Sequence, residues 1–237
     1  MPEGWRPARD WTPPSEDVID VWRLDLTILD EDWDLLSPDE SERATRIVVG
    51  EKRDQKAAGR AHLRRILSRY LDADPKSLRF EYGEHGKPGL AEHLDPRFNL
   101  SHSEKVGLVG VTRDVRIGVD VEQARGGRAF SDLAHRFFSV EESAALEELT
   151  ESERPAAFYR AWTRKEAYLK ALGTGLSFPP NGFTIDYTGE GPGHLVTTDM
   201  PGDDPAAWRF ADVELGSDFV GAICFEGPER PIRWWEV

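Results

Sequence analysis

Asp120 and Glu122 stand one residue apart inside the apolar run IGVDVEQ, residues 117–123. On an extended strand alternate side chains share a face, so the two carboxylates point one way while Ile117, Val119 and Val121 point the other. Two acids held that close repel each other and resist desolvation, and so call for a cation or basic partners. Hard oxygen donors with little histidine nearby favour Mg²⁺, above all where phosphate oxygens complete an octahedral shell. The same spacing also fits a half-exposed strand with two solvated acids.

Two further segments bear on that choice. In RAWTRKEAYLKALGTGL, residues 160–176, Glu166 and Lys170 lie four apart on one helix face, and Lys165 stands beside Glu166. That spacing lets a carboxylate reach a metal while an ammonium reaches a phosphoryl oxygen; a surface salt bridge has the same spacing. Trp162 shares the stripe and suits either the site or the core. In FNLSHS, residues 98–103, downstream of GKP at 86–88, Ser101 and His102 sit where a strand gives way to a loop. Without an acid in register His102 makes a poor hydrolase triad, and both a phosphate donor and a structural hydrogen bond fit it.

The elements that position these residues follow from periodicity and punctuation. VIDVWRLDLT predicts a strand over 18–27. Ser37, Pro38, Asp39 and Glu40 mark a helix start, with apolar positions recurring through Ile47, Val48 and Ala57. A second helical pattern covers about 52–71, LRFEY at 78–82 alternates as a strand, and EHGKP forms a turn. A strand, a polar interruption and another strand occupy FNLSHSEKVGLVGVTRD. Beyond IGVDVE come a glycine-rich turn, EQARGGR, and a short helix over 129–138 whose Phe137 and Phe138 suit the core better than a partner surface. Ser139 with Glu142 matches a capping box for a helix over about 140–149. The clearest helix spans 155–172 and is stopped by Gly173 and Gly175. Strands are predicted at 182–187, 194–198, 207–214 and 218–225, with a further one in IRWWEV. Both halves run strand, helices, strands without a residue-level repeat. The expectation is an α+β (α/β) protein of two similar lobes, 1–114 and 115–237, with one continuous sheet as the alternative.

The chain has 237 residues, enough to bury roughly 70% of its unfolded surface in one large or two small domains. No run approaches the ~20 apolar residues of a membrane span, and MPEGWRPARDW lacks the apolar core of a signal peptide, so a cytoplasmic protein is expected. Cys224 is the lone cysteine, which excludes an intramolecular disulfide and a multi-cysteine zinc site. The formal net charge of −14 argues against nonspecific binding to nucleic acid or an anionic membrane. Residues 43–69 are nonetheless strongly basic, so a phosphate ligand stays open.

Taken together, GKP, NLSHS, GVDVE, FFSVEE and WTRKEAYLKALGTGL, in that order, resemble the 4'-phosphopantetheinyl transferases of the surfactin-synthetase-activating type over about residues 40–185. The resemblance implies a pseudo-twofold, two-lobed fold, usually monomeric, that binds coenzyme A between its lobes. It implies transfer of the phosphopantetheine arm to a serine of an apo acyl, peptidyl or aryl carrier protein, with release of adenosine 3',5'-bisphosphate. By the same resemblance Asp120, Glu122 and Glu166 hold Mg²⁺, and Lys165 and Lys170 face the phosphates. Arg53, Lys56, Ser101 and His102 contact the 3'-phosphate end with Lys87 nearby, and Glu142 is a supporting acid near the metal. Asp120, Glu166 and Lys170 form the expected catalytic set. The alternatives are a noncatalytic coenzyme A or carrier-binding module and a Mg²⁺-dependent nucleotide pyrophosphohydrolase.

Overall fold

A strand, a long helix, a small hairpin and then a strand pair recur twice along the chain, in the computed structural model that describes residues 4–91, 95–126, 130–189 and 191–237. After the short β1 (Arg6–Pro7), β2 (Ile19–Asp25) leads through α1 (Asp30–Trp33) and α2 (Pro38–Thr45) to α3 (Gly50–Leu71). The hairpin β3 (Phe80–Tyr82) and β4 (Pro88–Leu90) follows, then β5 (Arg97–Ser103) and β6 (Val106–Thr112). The second pass begins with β7 (Ile117–Gln123) and runs through α4 (Phe130–Phe137) and α5 (Val140–Glu148) to α6 (Arg154–Leu172). It closes with the hairpin β8 (Phe183–Asp186) and β9 (His194–Thr198), then β10 (Trp208–Glu214) and β11 (Phe219–Glu226).

In both passes the first strand pairs antiparallel with the last and the last with the one before it, giving β2–β6–β5 and β7–β11–β10. The mixed α/β fold of two similar lobes is the one expected, and the repeat lies in element order rather than in residues. The final strand, β12 (Ile232–Glu236), departs from it. It returns to the first sheet and lies parallel between β1 and β2. The buried Asp20 carboxylate of β2 receives it, accepting from Arg233, Trp235, Trp11 and Tyr70.

Local chemistry sets the element ends. Ser37 with Glu40 and Ser139 with Glu142 form reciprocal caps on α2 and α5. The apolar pattern expected to carry the first helix on through Val48 is broken instead, since Ile47, Val48 and Val49 are β-branched and poor helix formers. Val48 is 96% exposed, and α3 starts afresh behind Val49. Residues 127–128 of the glycine-rich turn and residue 129 of the expected short helix lie outside the described residues.

α3 covers one face of the first sheet through Leu63, Ile66 and Leu67 against Trp22, Phe98 and Val109. α6 covers the second through Tyr168 and Leu169, and a third apolar layer joins the two sheets through Ile19, Val21, Leu108, Val119 and Ile223. At Gly118 a β-carbon would stand 2.0 Å from the Ala167 carbonyl oxygen, so only glycine lets α6 lie directly on β7. Phe138 and Cys224 are buried core residues, as their neighbours suggested. Among the described residues no helix is long and apolar enough to cross a membrane.

Candidate functional site

The two sheets meet edge to edge, β5 ending one and β7 beginning the other. An edge strand leaves backbone groups unpaired, and here side chains of β5 meet them. Asn99 Oδ1 accepts from the Val119 N–H at 2.9 Å, and Ser103 Oγ from the Gln123 N–H at 3.0 Å. On the same side Ser101 Oγ donates to Asp120 Oδ1 at 2.9 Å and Ser103 Oγ to Glu122 Oε2 at 3.2 Å. The alternation of N-x-S-x-S thus matches that of D-x-E across the junction.

α6 adds the rest from above. Lys170 Nζ donates to Asp120 Oδ1 at 2.6 Å and to Ser101 Oγ at 2.7 Å. Burial pushes the Glu166 carboxyl above the ordinary carboxylate range, and Asp120 and Glu122 add to the rise while Lys170 opposes it. Glu122 is raised as well, by burial and then by Asp120, against hydrogen bonding from Ser103 and Trp162 and the charge of Lys170. The three acids therefore share one electrostatic neighbourhood. Among the described residues no three of His, Cys, Asp or Glu are gathered tightly enough to hold a metal ion as they stand. Asp120 Oδ2 is nevertheless buried with no hydrogen-bond partner. An orphaned carboxylate oxygen beside two glutamates of raised proton affinity is the donor set a hard divalent cation satisfies, so the residues fit Mg²⁺.

A cavity of about 660 Å³ leads away from these groups. Glu166 and Lys170 line one part of it, and Arg43, Lys56, Arg60 and Tyr82 another. His102, on β5, does not itself line the cavity. Desolvation by the surrounding protein, then the charges of Lys56 and Lys170, depress its pKa. Lys56 and His102 thus stand together on the basic side, and Ser101 joins the acids.

Four expected residues lie elsewhere or face differently. Arg53 does not line the cavity, and its Nε donates to the adjacent Asp54 at 3.0 Å. Lys165 is turned away from the phosphate side: its Nζ donates to Glu142 Oε1 and Oε2 at 2.8 and 2.6 Å and to the Phe183 carbonyl at 2.7 Å, with each partner of the pair 1% exposed. Burial lowers its pKa to about 8 against the pull of Glu142. Glu142 is likewise engaged elsewhere: it caps Ser139, accepts from the Ile185 N–H and neutralises Lys165, fastening α5, α6 and β8 together. The physical reason is rotation, since Lys165 sits about 100° round the helix from Glu166, on the stripe of Ala161, Tyr168 and Leu169. Lys87 lines the cavity, but its Nζ donates to the carbonyls of Ile117, Lys170 and Ala171 at 3.0, 2.6 and 3.2 Å.

Arg43, Arg60, Tyr82 and Asn99 also line the cavity. Arg43 stacks over the Tyr82 ring at 3.9 Å, while Arg60 is committed to the buried Glu40. The sequence signal for both arginines was only the basic run in which they lie. Trp162 packs edge-on to the half-buried Phe137, with ring centroids 5.4 Å apart, and so borders core and site.

The family described as the 4'-phosphopantetheinyl transferase superfamily matches residues 116–224. The chain is 32% identical over 238 residues to the 4'-phosphopantetheinyl transferase HetI of Nostoc sp., covering 98% of this chain and 97% of that one. It is 28% identical over 196 residues to the 4'-phosphopantetheinyl transferase Sfp of Bacillus subtilis, covering 83% and 84%. Among solved structures, the holo-[acyl-carrier-protein] synthase of Thermotoga maritima aligns over 49% of this chain and 66% of its own, with a TM-score of 0.40 at 19% identity.

Proposed function

Since the chain belongs to the 4'-phosphopantetheinyl transferase superfamily, we propose that it is of the surfactin-synthetase-activating type and moves the phosphopantetheine arm of coenzyme A to a serine of an apo acyl, peptidyl or aryl carrier protein. The observation that carries this reading is that Lys170 and Glu166 of α6, which line a cavity shared with Lys56 of the basic α3, lie beside Asp120 and Glu122 of β7, Lys170 bonding Asp120 directly. Asp120, Glu122 and Glu166 would hold Mg²⁺, which supplies charge neutralisation to the pyrophosphate when bound.

The chain's own groups carry the remaining work. The partner's serine oxygen forms a bond to the phosphorus nearer the pantetheine, and the phosphoanhydride bond breaks to release adenosine 3',5'-bisphosphate. Negative charge grows on the phosphoryl oxygens, and Lys170, which lines the cavity, would absorb it. The serine proton needs an acceptor. Glu166, whose proton affinity burial raises, suits that task directly or through water, as well as metal ligation. Lys56 and His102 would receive the 3'-phosphate, and Ser101 would orient Asp120. The nucleophile comes from the partner, so the chain needs none of its own.

The same proposal takes residues 1–114 and 115–237 as two lobes, with β12 joining the first lobe's sheet, in a cytoplasmic monomer that engages neither nucleic acid nor membrane. Incubation with coenzyme A, Mg²⁺ and a panel of apo carriers should add the phosphopantetheine mass to one serine. Mass spectrometry finding no addition on any carrier would sink the reading. In that assay Glu166→Gln should lose turnover by about 10²-fold or more while keeping its fold, and full activity in the variant removes Glu166 from both roles.

A further inference from the structure

Lys87 belongs by sequence to the turn of the β3–β4 hairpin in the first lobe, yet its ammonium ends in the second. Two of its three acceptors, the Lys170 and Ala171 carbonyls, are in the last turn of α6. Such carbonyls have no partner within their own helix and carry the negative end of its dipole, so a half-buried ammonium satisfies both needs. The third acceptor, Ile117, opens β7. Gly173, the left-handed C-cap at φ 76°, makes room for the lysine stem: a β-carbon there would stand 3.3 Å from Lys87 Cδ. From the same turn His85 Nε2 meets Ser177 Oγ at 3.3 Å beyond the cap.

An ammonium has three N–H donors, and here all three are engaged by backbone. Two short routes lead from them to the reacting groups. One is the backbone of Lys170 itself, whose Nζ reaches Asp120 at 2.6 Å. The other is β7, where Asp120 follows Ile117 by three residues. We propose that Lys87 is a positioning residue, which locks the last turn of α6 to the start of β7 and so sets the Lys170–Asp120 pair without itself touching coenzyme A. The inference rests on the transfer reading above and departs from the expectation that Lys87 lies with the phosphate-binding groups.

The test compares Lys87→Met and Lys87→Gln with the unaltered enzyme, using coenzyme A, Mg²⁺ and an apo carrier, beside amide hydrogen exchange of the free protein. Loss of positioning lowers kcat by about 10²-fold, leaves KM for coenzyme A within about threefold, and quickens exchange at residues 170–173 but not in α3. Glutamine keeps two N–H donors and should recover part of kcat; it also carries the comparison where methionine costs the fold. A direct phosphate contact predicts the opposite split, with KM for coenzyme A up by about tenfold or more, kcat retained and exchange unchanged. That result overturns the proposal. Should the unaltered enzyme transfer to no carrier, the transfer reading fails, while exchange at 170–173 still decides whether Lys87 holds the junction: unchanged rates overturn the inference.

Discussion

Lys165 and Glu166 are sequence neighbours with opposite surroundings, one sealed against Glu142 between the Phe138 and Phe183 rings and the other lining the cavity. Removing one member of a buried pair leaves the other charge without compensation. Lys165→Met should therefore cost about 3–5 kcal/mol of stability, read as a lower denaturation midpoint, with activity falling in step with the folded fraction. A variant that stays fully stable yet cannot transfer would return Lys165 to the phosphates. Local periods, two along the strand and about four along the helix, paired Asp120 with Glu122 and Glu166 with Lys170, while the convergence of the two pairs was implied only by the family resemblance. The Lys165–Glu142 pair spans 23 residues, so local spacing could not reveal it, although the apolar stripe around Lys165 was a usable sign. Lys87 shows the same limit, since its acceptors are backbone atoms on a distant element.

At the level of elements, α2 is fastened to α3 by one acid. Glu40 accepts from Arg60 at 3.0 and 2.6 Å and from Arg64 at 2.7 Å, with its own helix cap as a further donor. Burial favours the neutral acid, but the charge of Arg60 and the hydrogen bonds from Ser37, Arg64 and Arg60 outweigh it and hold Glu40 below the usual carboxylate range. A depressed carboxyl stabilises the fold at pH values above its unfolded range. That contribution is lost as pH falls, because the unfolded chain takes up the proton first. Denaturation midpoints followed from about pH 6 to pH 3 should fall, and Glu40→Gln should start lower and depend less on pH; equal slopes would leave Glu40 without this role. Helix and strand identities were readable from sequence because caps, glycine stops and alternation are written locally. The break between α2 and α3 was not, since Ile47, Val48 and Val49 have the apolar character of a helix face and the shape of poor helix formers.

At the scale of the whole molecule, the duplicated strand–helix–hairpin plan lays two edge strands side by side, and the reacting groups gather where they touch. The plan could be inferred from element order, but the return of β12 to the first sheet could not, because pairing partners are set by the completed core. Its anchor is Asp20, which has no exposure and gathers two indoles, a phenol and a guanidinium. Asp20→Asn keeps the size but loses the charge facing Arg233, and should cost about 3–5 kcal/mol, seen as earlier thermal unfolding and faster proteolysis at residues 230–236. Unaltered melting would show that the apolar strand holds without it.

The 213 positions that separate Asp20 from Arg233 also bear on biogenesis. During translation β12 emerges long after β2, so the first lobe waits on the ribosome with an open flank while its counterpart is already being made. Nascent chains stalled before residue 232 should accordingly recruit holdase chaperones, and emergence of β12 should end that dependence.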